Sequence, residues 1–360
     1  MELERKPDFE EACKRFEAWW HGQIIDRPPV TINVRPERRP RVRERRYASE
    51  RDRWLDVEGG LDAFEAWTGV GTFLAETFPH FEPGLGPEVV ATVFGCDLEF
   101  SPHSSWSRPV VSSSREILGL KPNLDTFYWQ RLRDKTAMSA ARGRGKWLTQ
   151  LNDMHTNADL VAALRDPAGM ALDMAADLDG VRLACDHVAR FYPMLYDDIY
   201  NRVAAPGDPC TSWTPFLHRG RANTVQADFI IMVSPSMFRE ALLPSLLVEC
   251  KYLERSIYHL DGPGALRHLD ALCAIPELNA IQWVYGAGNA PSAKWIDVYK
   301  RVQAAGKCIQ LLAEDLNDAK AAARHLKPEG VWFCPGGAYT RAEAEAFLDW
   351  TARWAAGKRS

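Results

Sequence analysis

Hydrophobic positions change their period repeatedly along the second half of the chain. Short, mostly apolar runs predict strands over 227–233, 256–260, 278–285, 308–313 and 330–334. Each is followed by apolar residues at three- and four-residue spacing, which predicts helices over 235–253, from 265, and over 292–305, 315–326 and 340–355. Strand-helix alternation with short connections implies a parallel sheet with right-handed crossovers. Runs such as Val331-Trp-Phe-Cys334 suit a sheet buried on both faces. The first half is less regular. It predicts helices over 9–21, 56–67, 123–141 and 166–201, and strands over 30–34, 146–151 and 211–215. Between 73 and 120 lies a long insertion after the first strand, rich in aromatics, Pro and Gly up to 109, and no regular structure is assigned to it. Such an insertion suits a lid or a substrate wall. No Gly-x-Gly-x-x-Gly and no P-loop is present, so a nucleotide-binding doubly wound sheet gives way to a (β/α)8 TIM barrel. Without repeats or a low-complexity linker, residues 1–360 read as one domain with an N-terminal helical segment over 1–27.

Composition narrows the partners. The 360 residues are 46% hydrophobic and 26% charged, which is globular rather than disordered. A net charge of −4 offers no general basic surface for nucleic acid. The basic run Arg35 to Arg53 also carries Glu37, Glu44 and Glu50, and reads as a solvated loop. The eight cysteines are scattered without a CxxC, the usage of a reducing compartment, so a cytoplasmic location is expected. The charged start Met1-Glu-Leu-Glu-Arg-Lys has no apolar signal core, and runs such as Phe229 to Val233 are too short to span a bilayer.

The chemistry concentrates where strands end. Ser256-Ile-Tyr-His259-Leu-Asp261-Gly-Pro-Gly264 is an apolar strand ending in a His-x-Asp pair and a glycine turn. Alternation sends His259 and Asp261 to one face, and the carboxyl ends of parallel strands face the ligand crevice. The pair suits holding a metal, orienting a substrate or moving a proton; the alternative is that Asp261 caps the next helix. His155 follows another strand beside Asp153, Asn157 and Asp159, either as an acid–base group or in a helix-capping loop. Asp228 opens an apolar run, which favours a structural role over substrate binding. One of Gln282 and Trp283 must point inward from its strand. Cys334-Pro-Gly-Gly337 is a tight turn whose backbone N–H groups suit an anion or an ordinary loop. His268 and Asp270 repeat the His-x-Asp spacing on a helix and read as structural. Trp106, His80 and His103 belong to the insertion and are placed to close over a ligand.

Several of these segments carry a resemblance. Phe16-Glu-Ala-Trp-Trp-His21 with Ile25-Asp-Arg-Pro-Pro-Val30, Asp228 to Phe238 with its Ser234-Pro235-Ser-Met-Phe238, and Tyr258-His-Leu-Asp-Gly262 resemble the uroporphyrinogen decarboxylase-like superfamily. The resemblance implies a (β/α)8 barrel and two kinds of enzyme: porphyrinogen decarboxylases, and methyltransferases that work with a corrinoid protein. The chain lacks the Arg-x-x-Gly-Arg substrate motif of the first kind, reading Arg35-Pro-Glu-Arg-Arg-Pro-Arg41 instead. The methyltransferases hold zinc with His-x-Cys and a distant Cys. Here the resemblance places His259, Asp261 and Cys334 at those positions. It thus implies a metal-assisted methyltransferase moving a methyl group between a small molecule and a corrinoid on a partner protein. In that reading His259, Asp261 and His155 are catalytic, and Trp106, Gln282, Trp283, Asp153 and Asp228 bind substrate. The alternative is a decarboxylase or lyase acting on a small organic acid, with His259 or His155 as acid.

Overall fold

In the computed structural model, which describes residues 1–357, the chain is a mixed α/β fold built around a five-stranded parallel sheet. In chain order the strands are β1 (His80–Phe81), β2 (Leu98–Phe100), β3 (Ser105–Ser107), β4 (Leu148–Thr149), β5 (Ala222–Val225), β6 (Arg255–Asp261), β7 (Ala280–Val284), β8 (Cys308–Ala313) and β9 (Val331–Pro335). The large sheet has the order β5-β6-β7-β8-β9, with neighbours in sequence adjacent in space. Buried residues dominate these strands because helices cover their outer face.

The first half adds shorter parallel pairings. Val30 bridges Phe333 and Val34 bridges Tyr339, which sets segment 30–34 beside β9. Thr77 exchanges hydrogen bonds with Ile32 on the other side (2.8 and 3.0 Å). β1 pairs with β4 in parallel, and Leu151 bridges Ser212. The strands expected over 30–34 and 211–215 are therefore present only as isolated bridges.

The first helix, Phe9–Trp20, fixes which end of the sheet is closed. Phe9, Cys13, Phe16, Trp19 and Trp20 recur at helical spacing and are all buried. Trp19 Nε1 donates to Gly330 O (2.9 Å), Cys308 Sγ to Trp19 O (2.9 Å) and Trp20 Nε1 to Leu217 O (3.0 Å). Gly330 and Cys308 stand at the amino ends of β9 and β8, so the helix covers that end and leaves the carboxyl ends for a site.

Three expectations are corrected. Residues 227–233 are not a strand: the strand is Ala222–Val225, and Asp228–Met232 is a 3-10 turn. A short apolar run does not distinguish strand from helix, and the polar Asn223 and Thr224 hide the true strand. The insertion is also more ordered than its composition suggests. It holds β1, a 3-10 helix over Pro87–Phe94 buried from Val89 to Phe94, and the antiparallel β2–β3 hairpin. The long helical stretch 166–201 divides into Pro167–Ala176, Leu178–Ala189 and Tyr192–Val203. No helix among the described residues is long and apolar enough to cross a membrane.

Candidate functional site

The site is assembled by a capping interaction. Helix Asn157–Arg165 begins just past Leu151, and Asp159 in its first turn points at the end of the segment that follows β5. Its carboxylate accepts both the Asp228 N–H (2.9 Å) and the Phe229 N–H (3.0 Å). Those two bonds start the 3-10 turn and bring the Asp228 carboxylate against His155. Asn157 pins the same turn from below. It adopts a left-handed φ of +49°, which Asn tolerates better than most residues. Its Nδ2 donates to Gln226 O and to Glu249 Oε1, each at 2.9 Å. Gln226 Nε2 in turn donates to Asp153 Oδ1 (2.8 Å).

The result is a group of His155, Asp159 and Asp228 whose ligand atoms all lie within 4.8 Å of one another. Asp159 is buried and the other two are half-buried. Asp153 and His259 are close enough to act on the group electrostatically. Burial, reinforced by Asp159, raises the Asp228 carboxyl above its ordinary value. Burial also raises Asp153, against the pull of His155 and His259. For His155, burial disfavours the proton, but Asp159, Asp153 and Asp228 together outweigh it and raise its pKa. Crowded carboxylates that destabilise one another's charge, with an imidazole among them, make a group that could hold a cation by its donor chemistry. Oxygen and nitrogen donors suit zinc or a harder divalent ion.

A second feature crosses the sheet. His259 Nδ1 is hydrogen-bonded to Gln282 Oε1, Gln282 Nε2 donates to Gln310 Oε1 (2.8 Å), and Gln310 Nε2 donates to Cys334 Sγ (3.6 Å). His259, Gln282 and Gln310 are direct cross-strand neighbours on β6, β7 and β8. The Trp213 ring packs edge-on against His259 at 5.0 Å.

This arrangement changes the reading of the metal ligands. His259, Asp261 and Cys334 do not form a cation group among the described residues. Two glutamine side chains stand between His259 and Cys334, and Asp261 is exposed at the strand end. A single zinc holds its ligands at ~2.0–2.3 Å and cannot bridge that separation. Cys334 is an acceptor at the end of the chain of amides, and burial pushes its thiol up to about 12.

Of the remaining expected residues, the structure brings His155, Asp153 and Asp228 together. Trp283 is 1% exposed and packs on Trp295 at 5.2 Å on the helix side of the sheet, so it is core rather than a substrate wall. Gln282 faces inward, but its amide is spent on His259 and Gln310. Trp106 sits exposed on the β2–β3 hairpin opposite Glu99. His103 is exposed, and His80 packs against Phe78 at 5.3 Å. The Gly336 N–H is not free for an anion, since it donates to Ala313 O (2.8 Å). His268 is structural: its Nε2–H donates to Ile230 O at 2.9 Å.

Several site residues escape sequence reasoning. Asp159 reads there as a cap, and it is both cap and member of the group. Glu82 stands immediately after β1 beside Asp153; burial raises it to about 7, although its side chain is open to solvent. Lys135 underlies it, donating to Trp54 O (3.1 Å) and Gly84 O (3.0 Å), and burial lowers it to about 8. Gln310 had a legible signal: Ile281-Gln282 and Ile309-Gln310 set the same polar residue into two successive apolar strands.

A scan against protein-family models and a search of curated proteins each return no match.

Proposed function

We propose that the parallel pairings close into a (β/α)8 barrel, and that its carboxyl-end cleft is the site of a metal-assisted decarboxylase or lyase acting on a small organic acid. The observation that carries this is the convergence of His155, Asp159 and Asp228 within 4.8 Å. Closure is supported by the bridges of Val30 to Phe333 and Leu151 to Ser212, which continue the sheet's parallel sense, and by the Thr77 hydroxyl bonds that tie the next segment to Ile32. A divalent ion held there supplies Lewis acidity toward a substrate oxygen. His155, Asp159 and Asp228 bind it. His259 lies across the cleft as a proton acceptor. Glu82, raised to about 7, keeps its proton near neutrality and stands as donor to the carbon left when a carboxyl departs as carbon dioxide. Unpaired cysteines, six of the eight buried, suit a cytoplasmic protein.

A second reading, methyl transfer to or from a corrinoid on a partner protein, draws support from one feature. Ile231 (47% exposed) and Met232 (59% exposed) follow Asp228 and give the cleft an apolar rim. The oxygen-rich donor set favours the first reading, because no thiolate stands in the group to match the zinc ligation that the superfamily resemblance implies.

The test is titration of the metal-free protein with Co²⁺, followed by visible absorption and equilibrium dialysis. One ion per chain is expected. His155→Ala and Asp228→Asn should weaken binding at least tenfold, and Cys334→Ser and Asp261→Asn should leave it unchanged. Absence of saturable binding in wild type refutes the cation site. Carbon dioxide release from a panel of oxo- and hydroxy-acids, against spectral change of methylcobalamin with candidate thiols, separates the two reactions.

A further inference from the structure

We infer that a hydrogen-bonded relay ending on Cys334 locks His259 as its Nδ1–H tautomer and so presents the Nε2 lone pair to the cleft. The inference deepens the proposed function, since it assigns how the proton acceptor of that site is prepared.

The Trp332 indole can only donate, and it donates to Thr31 Oγ1 (2.9 Å). The Thr31 hydroxyl keeps its own hydrogen to donate, and Thr31 lies close enough to the Cys334 thiol to act on it. Gln310 Nε2 donates to the same sulfur from the other side (3.6 Å). With its NH2 turned to Cys334, Gln310 offers only its carbonyl to Gln282, whose Nε2 donates at 2.8 Å. Gln282 thereby offers only its carbonyl to His259 Nδ1. A carbonyl accepts, so Nδ1 carries the hydrogen, and the second ring nitrogen is left with its lone pair. Reversing the relay would require both amides to turn over together. It would also rest the relay on a thiol hydrogen, a weak donor. Aligned amide dipoles polarise one another in the same sense, which reinforces the direction observed.

The relay is laid across β6, β7, β8 and β9 at inward positions, in the part of the protein where backbone pairing is densest. Trp213 closes one side of the ring at 5.0 Å and limits its rotation. His259 is thus oriented by rigid elements rather than by a loop. Gln282, Gln310 and Cys334 are positioning residues, and none of them needs to touch substrate. The consequence is specific. A cleft that carries a cation on its carboxylates meets a lone pair from His259, not a proton.

The test is nitrogen NMR of the metal-free protein labelled with 15N-histidine, with the His259 ring assigned from its loss in His259→Gln. Wild type should show the Nδ1–H tautomer as nearly the whole population. Gln282→Met and Gln310→Met should each shift the ring toward Nε2–H, the first to a majority. Gln282→Glu should restore Nδ1–H, because a carboxylate also accepts there. An Nε2–H ring in wild type overturns the inference, and so does an Nδ1–H ring that survives Gln282→Met in a folded protein. Co²⁺ affinity should be unchanged in Gln282→Met. Failure of the cation reading therefore shows in the titration alone, and failure of the relay shows in the NMR alone.

Discussion

Glu249 provides a stability test of the floor beneath the site. It lies on helix Leu243–Tyr252, is 1% exposed, and its Oε1 accepts from Asn157 Nδ2 at 2.9 Å. Burial raises its carboxyl from an ordinary value near 4.5 to about 8, against the opposing hydrogen bonds from Thr156 and Asn157. The folded protein therefore keeps this proton in a pH range where the unfolded chain has lost it. Between those two values the unfolded state binds one proton fewer, so stability falls as pH rises. The contribution is complete below about 4.5 and gone by about 8. Each pH unit inside the window is worth ~1.4 kcal/mol, so the loss from pH 5 to 7 is ~2.5 kcal/mol. Against a typical total of ~5–15 kcal/mol that is a large share. Glu249→Gln keeps an oxygen for Asn157 and cannot ionise. Other titrating groups are common to both proteins, so the difference between them isolates this carboxyl. Urea unfolding followed by tryptophan fluorescence at pH 5, 6 and 7, at fixed ionic strength, should show the variant gaining ~2.5 kcal/mol on wild type across the series. Parallel curves would mean that Glu249 is ionised in the folded protein. The account of Asn157, Gln226 and Asp153 as resting on a neutral acid would then fail.

The same network shows why the site was only half legible. The sheet strands β6 to β9 follow from apolar runs that leave little choice of structure, and β8 is found over the very residues expected, 308–313. Strand β5 was misplaced because its buried face is polar. Thr224 bonds Thr214, and Ser212 lies 3.4 Å from Thr224, so this wall is held by hydroxyls rather than by the apolar pattern that periodicity detects. His155 and Asp153 could be found because they end a strand. Asp159 could not be separated from a capping residue, because capping is what it does; its second role exists only once Asp228 is folded onto it. The His259–Asp261–Cys334 triad failed for a related reason. Spacing along one strand and position at a strand end locate residues on a face, but not what stands between them, and Gln282 and Gln310 fill that space.

Three further outcomes are expected. Co²⁺ binding must displace the raised His155 proton, so affinity should increase with pH, by up to about tenfold per unit while His155 stays protonated; a flat profile by dialysis at pH 5.5, 6.5 and 7.5 would remove His155 from the ligand set. Trp283→Ala should cost ~3–5 kcal/mol in urea unfolding, and Trp283→Phe, which also deletes a buried indole N–H with no partner, less than about 1.5. Co²⁺ affinity unchanged in Trp283→Phe would match its place in the core. His80→Gln tests the acid side. Burial lowers His80 from 6.5 to about 4 despite the opposing bond from Gln150, so the fold keeps it neutral while the unfolded chain takes up a proton. Its contribution is complete above about 6.5 and is lost as pH falls toward 4. Glu249 moves the other way over pH 4.5–6.5, so in wild type these two contributions oppose each other there. Removing His80 unmasks Glu249: the His80→Gln protein should become more stable relative to wild type as pH falls from 6.5 to 4.5. A gap between the two that stays constant over that range would show that His80 is protonated in the folded protein.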